Sequence, residues 1–381
     1  MSATTQWVRP HAAAVGPARS SVDLLAPGAP ADVLHLRDRG ALVHRQVRSH
    51  LVREVLRSAS PGRDDRLFPG TEGASLGTGA AGVLWALAEI GVDVPERLVD
   101  WLVTRADELT GPGLFDGASG AALALDRLGR HDDAARLWCR VDAAPLGRLD
   151  VSLSGGLAGL GLALLERAPI TDEDALMARL AEIAGELIVR LGACDHDSGL
   201  LHGGAGAALF LIHLYEITED ESLLGPAEAA LLQDLGRLGW APLSGDDAAP
   251  LWWQQPTLGG GSAGLAMVIR EAMAHLDDRW LGDAAEWIAT AAECYTPDGA
   301  GLDEGSAGVA MALWHLRRTP WDTPVQRRAV MGPHLGRLGL LGGPKVDVRH
   351  TGAGLLSGAA GTLLVLESLM GAGDGRLFLF S

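Results

Sequence analysis

At 381 residues with 48% hydrophobic content, the chain is long enough to bury a large core. Its 48 acidic against 31 basic residues leave a formal charge of −17, which repels nucleic-acid phosphate and favours neutral or basic partners. No run of about 18 uninterrupted apolar residues argues for a membrane span, no basic-then-apolar N-terminus marks a secretory signal, and three scattered cysteines fit a reducing cytoplasm.

In chain order, residues 1–63 read as an N-terminal tail and linker helix. The stretch is Ala/Pro-rich and irregular to about residue 32, then helical through HLRDRGALVHRQVRSHLVREVLRSA. This helix is expected to pack on the domain downstream of it or to face a partner. Residues 64–381 read as one domain. Its signal is a Gly-x-x-Gly unit opening an apolar run, with first glycines at Gly79, Gly117, Gly156, Gly203, Gly261, Gly305 and Gly358, spaced by 38 to 58 residues. A period of that length holds two helices and their loops. Each Gly-x-x-Gly opens a small-residue helix that is apolar all round, as a buried helix is. Between copies lie amphipathic helices such as PERLVDWLVTRADEL and DALMARLAEIAGELIVRLG, with one apolar stripe and one charged face. Buried inner helices, each paired with an amphipathic outer one, predict an all-α toroid of seven helical hairpins. An open solenoid would need polar end caps, and the last copy, LLSGAAGTLLVL, is as apolar as the middle ones.

The glycines let helix N-termini approach closely. They also set the residue before each first glycine at the mouth of a central cavity, where chemistry is expected. Two of these loops carry acids. Asp116, in LFDGASG, reads as a helix N-cap with a substrate contact as the alternative. Asp303 and Glu304, in LDEGSAG, read as favourable charges at a helix N-terminus, as an acid/base pair, or as a docking site for a basic peptide segment. Asp347, Arg349 and His350, in KVDVRHTGAG, form a dense polar cluster before the last copy and read as a solvated loop, with substrate contacts at the cavity edge as the alternative. His213 and His315 lie two turns down their helices and read as partnered core histidines. Trp252 and Trp253 read as lid packing or a peptide platform, and Cys194 as an inert thiol.

The repeated unit, together with DDRLFPG, LSGGLAGLGLALL and GLLHGGAGAALFLIHLYEITEDESLL, resembles the lanthionine cyclase (LanC-like) family over residues 64–381. It looks most like the zinc-free cyclase portion of class III and IV lanthipeptide synthetases. A kinase normally precedes that portion, and the sixty residues here are too few for one. The chain therefore reads as a stand-alone cyclase or an excised domain, Met1 favouring the former. The resemblance implies addition of a precursor-peptide Cys thiol to dehydroalanine or dehydrobutyrine, with separate kinase and lyase proteins as partners. His202, in LLHGGAG, falls where the family places its acid/base histidine, a structural histidine at a helix N-terminus being the alternative. Asp150, in RLDVSLSGG, lies about two residues from an acidic position of the family. Zinc-dependent members carry a Cys in the fifth repeat and a Cys-His pair in the sixth. Here those positions hold Gly259, Asp303 and Glu304, so no metal and no other cofactor is expected. The alternative is a non-catalytic scaffold that holds the leader peptide. A terpene cyclase or glycosidase on an α/α toroid fits less well, since Phe and Tyr number only 5 and 2.

Overall fold

The computed structural model describes residues 30–167, 173–193, 196–238, 255–317 and 348–370, the side chains of 30–42, 349 and 370 excepted. Among these residues every regular element is helical, apart from one isolated bridge between Asp197 and Gly203. The helices are α1 (Pro30–Ser58), α2 (Ala80–Glu89), α3 (Glu96–Ala106), α4 (Ala118–Arg127), α5 (His131–Asp142), α6 (Leu157–Glu166) and α7 (Glu173–Ala193). They continue with α8 (Gly204–Thr218), α9 (Leu224–Arg237), α10 (Ser262–Ala272), α11 (Arg279–Cys294), α12 (Ser306–Leu316), α13 (Val348–Thr351) and α14 (Ala359–Met370). None is long and apolar enough to cross a membrane.

The helices that follow a Gly-x-x-Gly are the inner ones. In α2, Ala80 through Leu87 are all buried, whereas α3 buries one stripe (Leu98, Val99, Trp101, Leu102, Ala106) and turns Glu96 and Asp100 outward. The inner helices pack each on the next in the order α2, α4, α6, α8, α10, α12, α14, and α14 returns onto α2. Outer helices α5, α7, α9 and α11 lie against α4, α6, α8 and α10. α1 packs on α14, with His44 Nε2 3.0 Å and Arg48 Nε 2.9 Å from Glu367 Oε1. The segment after α12, residues 318–347, lies outside the described residues.

Close approach explains the second glycine of each copy. A Cβ on Gly82 would lie 1.9 Å from the Leu76 carbonyl oxygen and 2.7 Å from the Leu355 Cβ of the last copy. The same pair of neighbours, its own loop carbonyl and the preceding copy's leucine, recurs at Gly120, Gly159, Gly206, Gly264, Gly308 and Gly361. Ala there would clash with backbone, so the spacing between inner helices requires glycine.

Backbone hydrogen bonds between the loops close the ring. The Gly77 N–H donates to the Phe115 carbonyl (2.6 Å), Phe115 to Ser154 (2.9 Å), Ser154 to Leu201 (2.9 Å) and Leu201 to Gly259 (3.0 Å). Gly259 then donates to Asp303 (3.2 Å), Asp303 to Leu356 (2.8 Å), and Leu356 back to Gly77 (3.3 Å). An open solenoid has two ends and cannot return to its start. This one does.

Candidate functional site

Each residue in that circuit is followed by one that precedes a first glycine, and these next residues face outward. Thr78, Asp116, His202, Gly260, Glu304 and Ser357 are exposed and Gly155 is half-buried, beside glycines and leucines that are mostly buried. The loops therefore offer a ring of accessible positions on one face of the toroid. His202 stands there with Asp150, Ser152, His196 and Asp197 in a cleft of about 330 Å³. Asp303 and Glu304 line a second cleft of about 410 Å³ with Asp298, Tyr295 and Ser357.

Two carboxylates lean toward His202 from either side. Asp116 lies over the neighbouring loop: a Cβ on Gly155 would meet its Oδ2 at 2.5 Å. Asp303 lies over the loop on the other side: a Cβ on Gly259 would meet its Oδ1 at 1.8 Å. Burial pushes the Asp116 carboxyl above its usual range, and the charge of Asp150 adds to this. Burial likewise raises Asp303, with the Glu304 charge adding to it. His202 pulls both back down, which places its imidazole within electrostatic reach of each. A basic group between two acids of elevated pKa is an arrangement suited to proton transfer near neutral pH.

Neither Asp116 nor the Asp303–Glu304 pair caps a helix end through a side-chain hydrogen bond. The N-cap of α4 is Gly117, and the Ala118 N–H goes to the Gly111 carbonyl instead of to Asp116. Similarly α12 starts after Gly305, and Ser306 and Ala307 donate to the Gly299 and Ala300 carbonyls, not to Asp303 or Glu304. Loop carbonyls thus serve the first N–H groups of both helices, while the charges of Asp303 and Glu304 remain favourable beside the start of α12. Asp150 both lines the cleft and braces its loop, its Oδ1 accepting from the Ser152 N–H (2.9 Å) and hydroxyl (2.6 Å).

Two known proteins are similar to this chain as a whole. The chain is 35% identical over 356 residues to a protein named "Probable SapB synthase" from Streptomyces coelicolor, an alignment covering 85% of this chain and 38% of that one. Nisin cyclase superposes with a TM-score of 0.62 at 17% identity, covering 85% of this chain and 93% of the other. The chain has the fold of nisin cyclase. It spans about two fifths of the Streptomyces relative's length, and no family model matches it.

By the resemblance drawn from the sequence, the zinc-ligand positions of the family would fall on Gly259, Asp303 and Glu304. The Asp303 carboxylate occupies the space in which a side chain at 259 would stand, so a cysteine there and Asp303 in this pose exclude one another. Among the described residues no three His, Cys, Asp or Glu side chains are grouped to hold a metal ion. The residues present do not fit the thiolate-rich zinc site of the resemblance.

The remaining candidates lie apart. His350 is exposed on α13, which packs against α1, and it lines neither cleft. Arg349 is on the same short helix; Asp347, Cys194, Trp252 and Trp253 lie outside the described residues. Cys139 and Cys294 are exposed free thiols. Sequence reading missed two residues beside His202. His196 lines the same cleft and contacts Arg237 Nη1 through Nδ1 at 2.5 Å. Asp234 is buried on α9 and accepts from the backbone of the His202 loop. Asp234 had a signal: it is an acid on the apolar stripe of Ala227, Ala230, Leu231 and Leu235.

Proposed function

We propose that this chain closes thioether rings in a dehydrated ribosomal precursor peptide, with His202 as the principal acid/base and without a zinc ion. The observation that carries the reading is His202 at the mouth of a LanC-like ring, flanked by Asp116 and Asp303 leaning across Gly155 and Gly259. The name of the Streptomyces relative, a synthase, is consistent with a synthetic role for this chain.

In this reaction the cysteine S–H proton passes to the His202 imidazole as sulfur attacks the β-carbon of a dehydroalanine or dehydrobutyrine. The new S–Cβ bond forms while the C=C π bond breaks, and the electron pair moves onto Cα and its carbonyl. The imidazolium, stabilised between Asp116 and Asp303, returns the proton to Cα, with Asp303 and Glu304 completing the proton-handling group. Asp150 faces the same cleft as a contact for peptide N–H groups. Asp347, Arg349 and His350 are proposed to guide peptide toward the mouth. A free thiol has a pKa near ~8.5, so without a metal the rate depends more on holding thiol and alkene together. Dehydration is left to separate kinase and lyase activities, and we place the reaction in the cytoplasm.

The test is a thiol-alkylation mass assay on dehydrated precursor incubated with the protein, with His202→Ala, or with neither. Ring closure leaves the mass unchanged and hides cysteines from the alkylating reagent. Protection by the unsubstituted protein alone, persisting after exhaustive chelation, is the expected result. Protection abolished by chelation and restored by zinc overturns metal independence. Peptide binding with alkylation equal to the protein-free control instead makes the chain a scaffold for the leader peptide.

A further inference from the structure

We propose that Asp234 is the positioning residue of His202, a buried carboxylate on an outer helix that holds the imidazole-bearing loop in register. The catalytic half of this proposal rests on the cyclase reading above; the structural half does not.

The inner helices solve a common problem, because the first N–H groups of a helix have no partner within it. In most of them the loop's own carbonyls serve. Ala80 donates to Gly73, Ala118 to Gly111, Leu157 to Asp150, Ala263 to Thr257, Ser306 to Gly299 and Ala359 to Gly352. At α8 the Gly204 and Ala205 N–H groups donate to the Asp234 side chain instead, at 3.0 Å to Oδ1 and 2.8 Å to Oδ2. Oδ2 also accepts from the Gly199 N–H at 3.0 Å. The carboxylate thus grips the chain on both sides of residues 200–203, which hold His202 and the Leu201 link of the backbone circuit.

Asp234 is completely buried, on a stripe otherwise made of alanine and leucine. A carboxylate in such a place is costly unless its lone pairs are engaged, and three N–H donors at the positive end of a helix engage them. Burial pushes its pKa up, while these three bonds and the neighbouring His196 oppose the rise. The loop it grips has little freedom. Gly199 has φ +90°, and a Cβ there would meet the Gly259 carbonyl oxygen at 2.8 Å. Capping for stability alone would serve any inner helix. Among the described residues, this buried carboxylate serves the loop that carries the imidazole.

The experiment uses the full chain and Asp234→Asn, which keeps the shape but turns one acceptor into a donor. Amide exchange at Gly199, Gly204 and Ala205 is expected to quicken about tenfold or more. The His202 Cε1 NMR signal is expected to shift or broaden. Ring closure is expected to lose about 10- to 100-fold in kcat with KM nearly unchanged, and the limb of the pH–rate profile due to His202 to move. Quickened exchange with an unaltered His202 signal and unaltered pH limb makes Asp234 a structural cap only and overturns the proposal. Unchanged exchange in the folded variant does the same. If the unsubstituted protein closes no rings, the cyclase reading falls while exchange and the His202 signal still decide this one. Should Asp234→Asn not fold, the unsubstituted protein decides. Slow exchange at the three amides with one imidazole rotamer supports the clamp; fast exchange or rotamer averaging overturns it.

Discussion

At the glycine mouth His202 is exposed, with no hydrogen-bonded carboxylate among the described residues, whereas toward the far ends of the inner helices histidines are set directly against glutamates. His315 Nε2 lies 3.0 Å from Glu271 Oε1, and His275 Nε2 lies 2.9 Å from Glu216 Oε1 with Tyr215 edge-on at 5.1 Å. His213, near Glu216 and Glu271, is partly buried, and burial lowers its pKa against the pull of both. The difference teaches how one ring separates chemistry from structure. A histidine paired at contact distance is committed to its partner. In the function proposed above, one held in the field of carboxylates that lean from other loops is left to meet a substrate.

The sharpest way to break this contrast is His202→Ala, expected to lower ring closure by about 10² to 10⁴-fold in the alkylation assay without lowering Tm. A rate within twofold of the parent sinks the assignment. Asp303→Asn comes next, with about a 10- to 100-fold loss of rate. The same change is expected to stabilise the fold. The folded pKa of Asp303 lies above its unfolded value, so the group's contribution to stability is present below the unfolded pKa and lost as pH rises through the folded one. Calorimetry should therefore find Asp303→Asn about 1–3 °C more stable than the parent at neutral pH and no different below about pH 3.5. Asp116→Asn should behave alike, since its shift has the same sign and the same leading cause.

A smaller effect tests the lean itself. Gly259→Ala puts a methyl where the Asp303 Oδ1 now lies and is expected to cost about tenfold in rate by turning that carboxylate away. At the far cluster the expectation reverses. His315→Gln should lower Tm and leave the rate within about twofold. The depressed pKa of His213 makes its contribution to stability present above about pH 6.5 and lost on acidification, so His213→Gln should flatten the fall of Tm below that pH.

Much of this was readable in sequence because it is local or periodic. The Gly-x-x-Gly copies announce themselves at fixed places, and all-round apolar runs mark inner helices such as α2 and α8. His202 could be named from its own loop. What Asp116 and Asp303 do was not readable. As neighbours of helix starts they look like caps, and only the Gly111, Gly299 and Ala300 carbonyls, folded back over those starts, displace them. Asp234 stands 32 positions beyond His202 in the chain. An acid on an apolar stripe signals a buried partner without saying which one.

By itself, then, the sequence determined the buried inner helices and the place of His202 just before a first glycine, since helix periodicity and glycine spacing depend on neighbours in the chain. Only the tertiary structure decided that α14 returns to α2, that Asp303 fills the space over Gly259, and that Asp234 grips the His202 loop. Each of those contacts joins loops or helices whose separation is set by the closure of the whole ring, and no local pattern encodes that distance.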